Sequence, residues 1–310
     1  MNRILVIRGG AIGDFILTLP ALKALRDAYP HAHIEILGYK HITVLAENRF
    51  YAQAVRSIEY GPLSSFFAKN SQLPPELPTY FASFDLIISY LHDPDEIFES
   101  NLRRCGVDRL IRGPAKIENQ KHAASQLAQP LEELGLRVDD LAARIFPLET
   151  DRIVLKKLLN RSSKPVVAFH PGSGSEKKNW PVQNWIEFLK KIERETDYRV
   201  LMVGGEADTE RIQAIQRLVM TERVEMMQNV PLVELAANLR GCHVFIGHDS
   251  GISHIAAAVG MPTLVLWGAS KSEVWQPLNP NVTIVRAAKG ILEDLNVQEV
   301  WSAFAGLRGW

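Results

Sequence analysis

Ile4-Leu5-Val6-Ile7-Arg8-Gly9-Gly10-Ala11-Ile12-Gly13-Asp14 joins a four-residue apolar run to a glycine turn, and an amphipathic stretch from Phe15 to Asp27 follows. A short apolar run bounded by turn residues reads as a buried strand, and the periodic stretch after it as a helix. The segment is therefore the first half of a βαβ unit. The second half lies at His33 to Leu37, and the rhythm continues to a run at Asp85 to Tyr90. After Lys164 it starts again, with apolar runs at Val166 to His170, Arg199 to Val203, His243 to Ile246 and Thr263 to Trp267, each followed by a turn and a helix-like segment. Strands alternating with helices form parallel sheets with helices on their faces. The expected fold class is α/β with two doubly wound sheets.

Between the two series, Glu149 to Lys164 reads as one charged helix ending in Arg161-Ser162-Ser163-Lys164-Pro165, where the periodicity breaks. A hinge there divides the chain into a domain over residues 1–160 and another over 161–310, and 310 residues suit two domains. Gly61 to Tyr80 reads as a mobile surface loop, because Pro74-Pro75 and Pro78 discourage a helix. Lys plus Arg and Asp plus Glu both number 35, so no global field draws the chain to nucleic acid, and an anionic partner has to be met locally. Cys105 and Cys242 lie far apart without metal-ligand spacing, which excludes a disulfide framework and fits a reducing compartment, with the cytoplasm as the expectation. Ile4 to Ile7 is too short for a signal-peptide core. The longest apolar stretch, Ile255 to Ala269, contains Gly260, Pro262 and Thr263 and falls short of the about 18 residues a spanning helix needs. Any membrane contact is expected to be peripheral.

The turn at Arg8 to Gly13 invites a dinucleotide-binding reading, but G-x-G-x-x-G has its first glycine replaced by Arg8. The acid expected about 20 residues on would be Glu35, inside a strand instead of at its end. Both weigh against a nicotinamide or flavin. Asp14, a carboxylate at a helix start, is either a base for a substrate hydroxyl or a group that caps backbone N–H donors.

His170-Pro171-Gly172-Ser173-Gly174-Ser175-Glu176-Lys177-Lys178-Asn179-Trp180-Pro181 follows the first strand of the second series. Its glycines and serines let backbone and hydroxyls approach an anion, and a lysine adds charge. That composition suits a diphosphate, without the spacing of a P-loop; the alternative is a polar turn with solvated lysines. Gly247-His248-Asp249-Ser250-Gly251-Ile252-Ser253-His254 joins a strand to a small-residue helix, whose first N–H groups at Ser250 and Gly251 form an anion site that needs no metal. Asp249 would face a sugar hydroxyl, and His254 would contact phosphate or hold the loop. The plainer alternatives are capping by Asp249 or Ser250 and a packed His254. Glu206, after Val203-Gly204-Gly205, is placed to grip ribose hydroxyls or to start a helix. Asp93-Pro94-Asp95 reads as a turn and cap, not a metal pair.

In this order the residues resemble the heptosyltransferase family of lipopolysaccharide inner-core synthesis, inverting glycosyltransferases of the two-Rossmann-domain GT-B type. The resemblance covers the whole chain and is densest from Val166 to Gly268. It rests on Gly13-Asp14 with Thr18-Leu19-Pro20, His170-Pro171-Gly172, Lys178 before Trp180-Pro181, Gly205-Glu206, and Asp249-Ser250-Gly251 with His254. It implies two Rossmann-like domains facing an interdomain cleft, the first binding the acceptor and the second an ADP-sugar donor, with the last helix packing back on the first domain. It implies that Asp14 is the general base, and that Ser173, Gly174 and Lys178 hold the donor diphosphate. Glu206 would bind the ribose, backbone near Val230 the adenine and Asp249 the donor sugar, while Ser250 and Gly251 donate to phosphate. Family members often carry Thr at the positions of Ser250 and Gly174; the second difference removes a side-chain phosphate contact.

The reaction so implied moves a heptose or related sugar to a lipopolysaccharide inner-core or similar anionic glycan acceptor, with inversion and without metal or cofactor. Arg103, Arg104, Arg109, Arg112, Lys116 and Lys121 form a basic run that would meet such an acceptor or lie solvated on a helix. A different nucleotide-sugar on the same fold, a non-catalytic nucleotide-sugar binder that would not require Asp14, and a dehydrogenase are the competing readings.

Overall fold

The computed structural model describes residues 1–151, 164–219 and 222–307. The chain divides into two compact units, Met1–Leu141 and Ala142–Trp310. This boundary lies earlier than the hinge read at Arg161 to Pro165. The reason is local: the Ile145 N–H donates to Ala258 O and the Asn279 amide to Ala143 O, so the segment after Leu141 is tied to the second unit. The charged-helix reading of Glu149 to Lys164 falls mostly on residues 152–163, outside the described residues.

Among the described residues, the first unit holds β1 (Arg3–Arg8), β2 (His33–Gly38), β3 (Ala54–Ser57), β4 (Leu86–Ser89) and β5 (Leu110–Arg112), in the order β3-β2-β1-β4-β5. Every pairing is parallel. Leu5, Ile7 and Leu37 point to one face, into a cluster with Phe66, Phe81, Phe98 and Leu102. Ile4, Val6, Ile34 and Ile36 are equally buried and, by alternation, face the opposite side. Burial on both faces is why β1 reads as an unbroken apolar run.

Gly61 to Tyr80 is not a bare loop. Gly61–Phe67 is a 3-10 helix and Glu76–Ala82 an α-helix, and Leu63, Phe66 and Leu77 enter the core. Pro62 and Pro78 both lie in the first turn of their helices, where a missing N–H costs nothing. Asp93 caps as expected, accepting from the N–H groups of Phe98 and Glu99 at the start of the helix Ile97–Arg104.

The second unit holds β6 (Val166–Phe169), β7 (Arg199–Gly204), β8 (Val224–Gln228), β9 (Val244–His248), β10 (Thr263–Trp267) and β11 (Val282–Arg286). They lie in the order β11-β10-β9-β6-β7-β8, again all parallel. Counted from β6, this is the doubly wound order 3-2-1-4-5-6, whose direction reverses between β6 and β9. Trp180, Trp185 and Phe188 pack with Trp301 and Phe304 in the core over this sheet. The last helix, Val297–Leu307, buries Val300, Trp301, Phe304 and Leu307 in the second unit's own core. No helix among the described residues is long and apolar enough to cross a membrane.

Candidate functional site

In a doubly wound sheet a ligand crevice opens outside the carboxyl ends of the strands at the reversal point. In the second unit that point is the end of β6 and β9, where His170 to Lys178 and Asp249 to Gly251 emerge. Lys178 Nζ donates to Asp249 Oδ2 at 2.5 Å, and Ser270 Oγ donates to the same oxygen at 2.5 Å. Asp249 is buried while Lys178 is 38% exposed, so the pair presents the cation and retains the carboxylate. Ser250 caps the helix Gly251–Ala258, accepting from the Ser253 N–H, and Gly251 is its first residue. The arrangement joins a lysine to the positive end of a helix, which suits an anion.

The other donor residues expected from the sequence lie along the same edge. Ser173 engages its own turn through Ser175, and Gly174 has open space where a side chain would stand. Glu206 is exposed in a 3-10 turn after β7, and Val230 follows β8. The strand order β9-β6-β7-β8 therefore sets Asp249 to Gly251, Ser173 to Lys178, Glu206 and Val230 in a row, about 4.8 Å apart per strand. His254 is buried one turn into its helix, which suits holding the loop better than meeting a phosphate.

Two further residues hold this edge, and their partners lie too far away in sequence for spacing to reveal them. His248 is fully buried; the Trp180 N–H donates to its Nε2 at 2.8 Å, so Nδ1 carries the proton and donates to Gly172 O at 3.1 Å. Burial pushes its imidazole down to about 3, so it is neutral and bridges both ends of the Gly172 to Trp180 loop. Asp208 accepts from His170 Nε2 at 2.9 Å and from the Gly205 N–H at 2.7 Å. Burial alone would raise its carboxyl, but those bonds offset it and leave it below the ordinary carboxylate value. A side chain at Gly172 would meet Asp208 Oδ1 at 1.7 Å, so only glycine lets the two loops close this tightly.

In the first unit Asp14 sits in the first turn of the helix Ile12–Ala28, 32% exposed. It is not the N-cap, which is Ala11; its Oδ2 reaches back to accept from the Ala11 N–H at 2.9 Å. Its Oδ1 lies 3.7 Å from a guanidinium nitrogen of buried Arg8. Glu35 is no ribose ligand. It is buried mid-strand and accepts from Arg3, His33, Arg56 and Tyr80, bonds that outweigh burial and keep its carboxyl low.

Three of the six residues of the basic run have partners within the first unit. Arg103 donates to Val107 O and Asp108 O, Arg104 to Asn101 and Ser71 O, and Arg112 pairs with Glu96 and Glu99. A cavity of about 500 Å³ lies instead beside the ends of β2 and β3, lined by Lys40, Arg56, Tyr60, Leu63, Glu76 and Tyr80 among others. Arg56 lies on its wall, Nε donating to Glu35 at 3.0 Å and the guanidinium 4.7 Å above the Tyr80 ring.

The model of glycosyltransferase family 9 (heptosyltransferase) matches residues 117–302. Over 328 aligned residues the chain is 23% identical to lipopolysaccharide heptosyltransferase 2 of Salmonella typhimurium, covering 93% of this chain and 89% of that protein. A solved glycosyl transferase family 9 structure from Veillonella parvula superposes with a TM-score of 0.80 at 20% identity, covering 99% of this chain and 97% of that one. The ADP-heptose lps heptosyltransferase II of E. coli does so with a TM-score of 0.79 at 18% identity, covering 99% and 98%. These structures share the α/β fold with two parallel sheets, as expected of the GT-B type.

Proposed function

Since the chain belongs to glycosyltransferase family 9 (heptosyltransferase) and is a glycosyltransferase, we propose that it moves a heptose or closely related sugar from an ADP-linked donor to an anionic glycan acceptor of the lipopolysaccharide type. The names of its relatives in Salmonella and E. coli support that donor and acceptor. The observation that carries the reading is the Lys178–Asp249 pair beside the Ser250 and Gly251 helix start, at the reversal point of the second sheet. Glu206 and the backbone at Val230, one and two strands beyond β6, suit the ribose and the base of a nucleotide laid along that row.

In the proposed step the acceptor oxygen attacks the anomeric carbon as the bond from that carbon to the diphosphate oxygen breaks, so ADP leaves and the configuration inverts. Asp14 takes the acceptor's hydroxyl proton. A lysine ammonium has three donors, so Lys178 keeps one on Asp249 and turns the others to the diphosphate. With the N–H groups of Ser250 and Gly251 it meets the charge that develops on the leaving group, the part a metal ion would otherwise play. Asp249, anchored by Lys178 and Ser270 through Oδ2, offers Oδ1 to a donor hydroxyl. The cavity at Arg56 and Lys40 suits the acceptor's acidic group, with Tyr60 and Tyr80 as apolar faces for a sugar ring. The reading places the protein in the cytoplasm, in peripheral contact with the membrane that carries the acceptor.

The test is turnover of ADP-heptose with a lipopolysaccharide core acceptor in EDTA, with the product anomer read by NMR. Wild type should form the inverted linkage and Asp14→Asn should lose kcat by at least about 100-fold. Retention of configuration, or activity restored only by a divalent ion, would contradict the mechanism. Turnover of another nucleotide-sugar in place of ADP-heptose would keep the mechanism and change the donor.

A further inference from the structure

Arg8 is the last residue of β1 and is almost wholly buried, an expensive place for a guanidinium unless its charge is met. Burial pulls it below its ordinary value, and the charge of Asp14 and the phenol of Tyr90 act the other way. Among the described residues Asp14 is the one acid within ion-pair reach of it. Arg8 holds the Asp14 turn at several points. Its Nε donates to Thr18 Oγ1 at 3.1 Å, Thr18 Oγ1 donates to Asp14 O at 2.8 Å, and Arg8 Nη2 lies 3.4 Å from that same carbonyl and 3.7 Å from Asp14 Oδ1. The guanidinium is itself backed by the Tyr90 ring, 5.7 Å away. Tyr90 is fixed in turn, its hydroxyl donating to Leu127 O at 2.8 Å and its ring lying where a side chain at Gly113 would clash at 2.2 Å.

These contacts do more than cap a helix. The Ala11 N–H already takes Asp14 Oδ2, and that bond is enough to cap. Arg8 donates to the Asp14 carbonyl and lies within ion-pair reach of its second carboxylate oxygen, so a fixed positive charge draws that carboxylate toward the β1 end.

We propose that Arg8 is a positioning residue for the base: the Gly113–Tyr90–Arg8 stack fixes the carboxylate of Asp14 in the orientation that receives the acceptor's proton. The inference rests on the reading of Asp14 as general base. A misplacement of about 1 Å in a reacting group costs on the order of 100-fold in rate, so loss of the grip should appear in kcat and not in donor binding.

A double-mutant cycle on the full chain tests it, with Arg8→Gln, Asp14→Asn and the pair, and Arg8→Lys as a milder variant that keeps charge without the fork. ADP affinity and melting temperature report folding. The expected result is a loss in kcat of roughly 10- to 100-fold in Arg8→Gln, a smaller loss in Arg8→Lys, ADP affinity unchanged in both, and less than about threefold further loss when Arg8→Gln is added to Asp14→Asn. Multiplicative losses in the double variant would show that Arg8 acts independently and overturn the proposal. So would an unchanged kcat in Arg8→Lys and in folded Arg8→Gln. Wild-type kcat in Asp14→Asn would instead sink the general-base reading itself, a different result from either.

Discussion

His248 shows how a buried residue shapes a loop from beneath, the loop from Gly172 to Trp180 at the end of β6. Its imidazole is held neutral at about 3 by burial, against an ordinary value of 6.5, while it bridges Trp180 N–H and Gly172 O. The unfolded chain takes up a proton there below pH 6.5 and the folded chain does not, so stability present above pH 6.5 is lost as pH falls toward 3. The slope is on the order of 1.4 kcal/mol per pH unit for this one group. Denaturant melts at pH 7 and pH 5 should show wild type losing more stability on acidification than His248→Gln; equal losses would mean that His248 is not buried neutral. At this scale the sequence was only partly legible. Asp249 and Ser250 stand out because a strand end, a cap and a helix start are adjacent in the chain. His248, Asp208 and Ser270 do not, because what makes them matter is a partner on another loop: Trp180, His170 and Asp249 respectively.

Among elements, the central strands were readable and the edges were not. β1, β2, β4, β6, β7, β9 and β10 are buried on both faces and carry continuous apolar runs, the signal that marks a parallel strand. The four strands that the runs do not reveal, β3, β5, β8 and β11, are the four sheet edges. Edge strands are half solvated and carry polar residues such as Arg56, Arg112, Gln228 and Arg286, which dilute the pattern. Gly61 to Tyr80 misleads for another reason: its prolines count as breakers until the helices are seen to start on them. The helix Gly251–Ala258 carries the element-level prediction. Ser250→Ala should cost about 1 kcal/mol of stability through the lost cap and weaken ADP binding with it, whereas Ser250→Thr should preserve both. Circular dichroism melts and ADP titration read the two effects; full ADP affinity in a destabilised Ser250→Ala would separate the cap from the anion site.

For the whole molecule, the proposed function gives one substrate to each unit. Arg56, fixed by Glu35 and Tyr80 at the mouth of the first unit's cavity, should serve the acceptor alone. Arg56→Gln is expected to raise acceptor KM roughly tenfold, the worth of about 1.4 kcal/mol in a charged hydrogen bond, and leave ADP affinity unchanged. Steady-state kinetics with both substrates varied would expose a shared role. The division into two parallel-sheet units was legible from the repeated strand and helix rhythm, but its boundary was not, because the tie of Ile145 to Ala258 spans more than a hundred residues. Calorimetric titration of wild type and Lys178→Ala with ADP, UDP, GDP and NAD in EDTA tests whether the second unit holds an ADP-linked donor at Lys178. ADP is expected to bind best, without metal, and the substitution to weaken it roughly 10- to 100-fold, since a charge-assisted hydrogen bond contributes about 1.5 to 3 kcal/mol. Preference for NAD, or ADP affinity indifferent to Lys178, would contradict that reading.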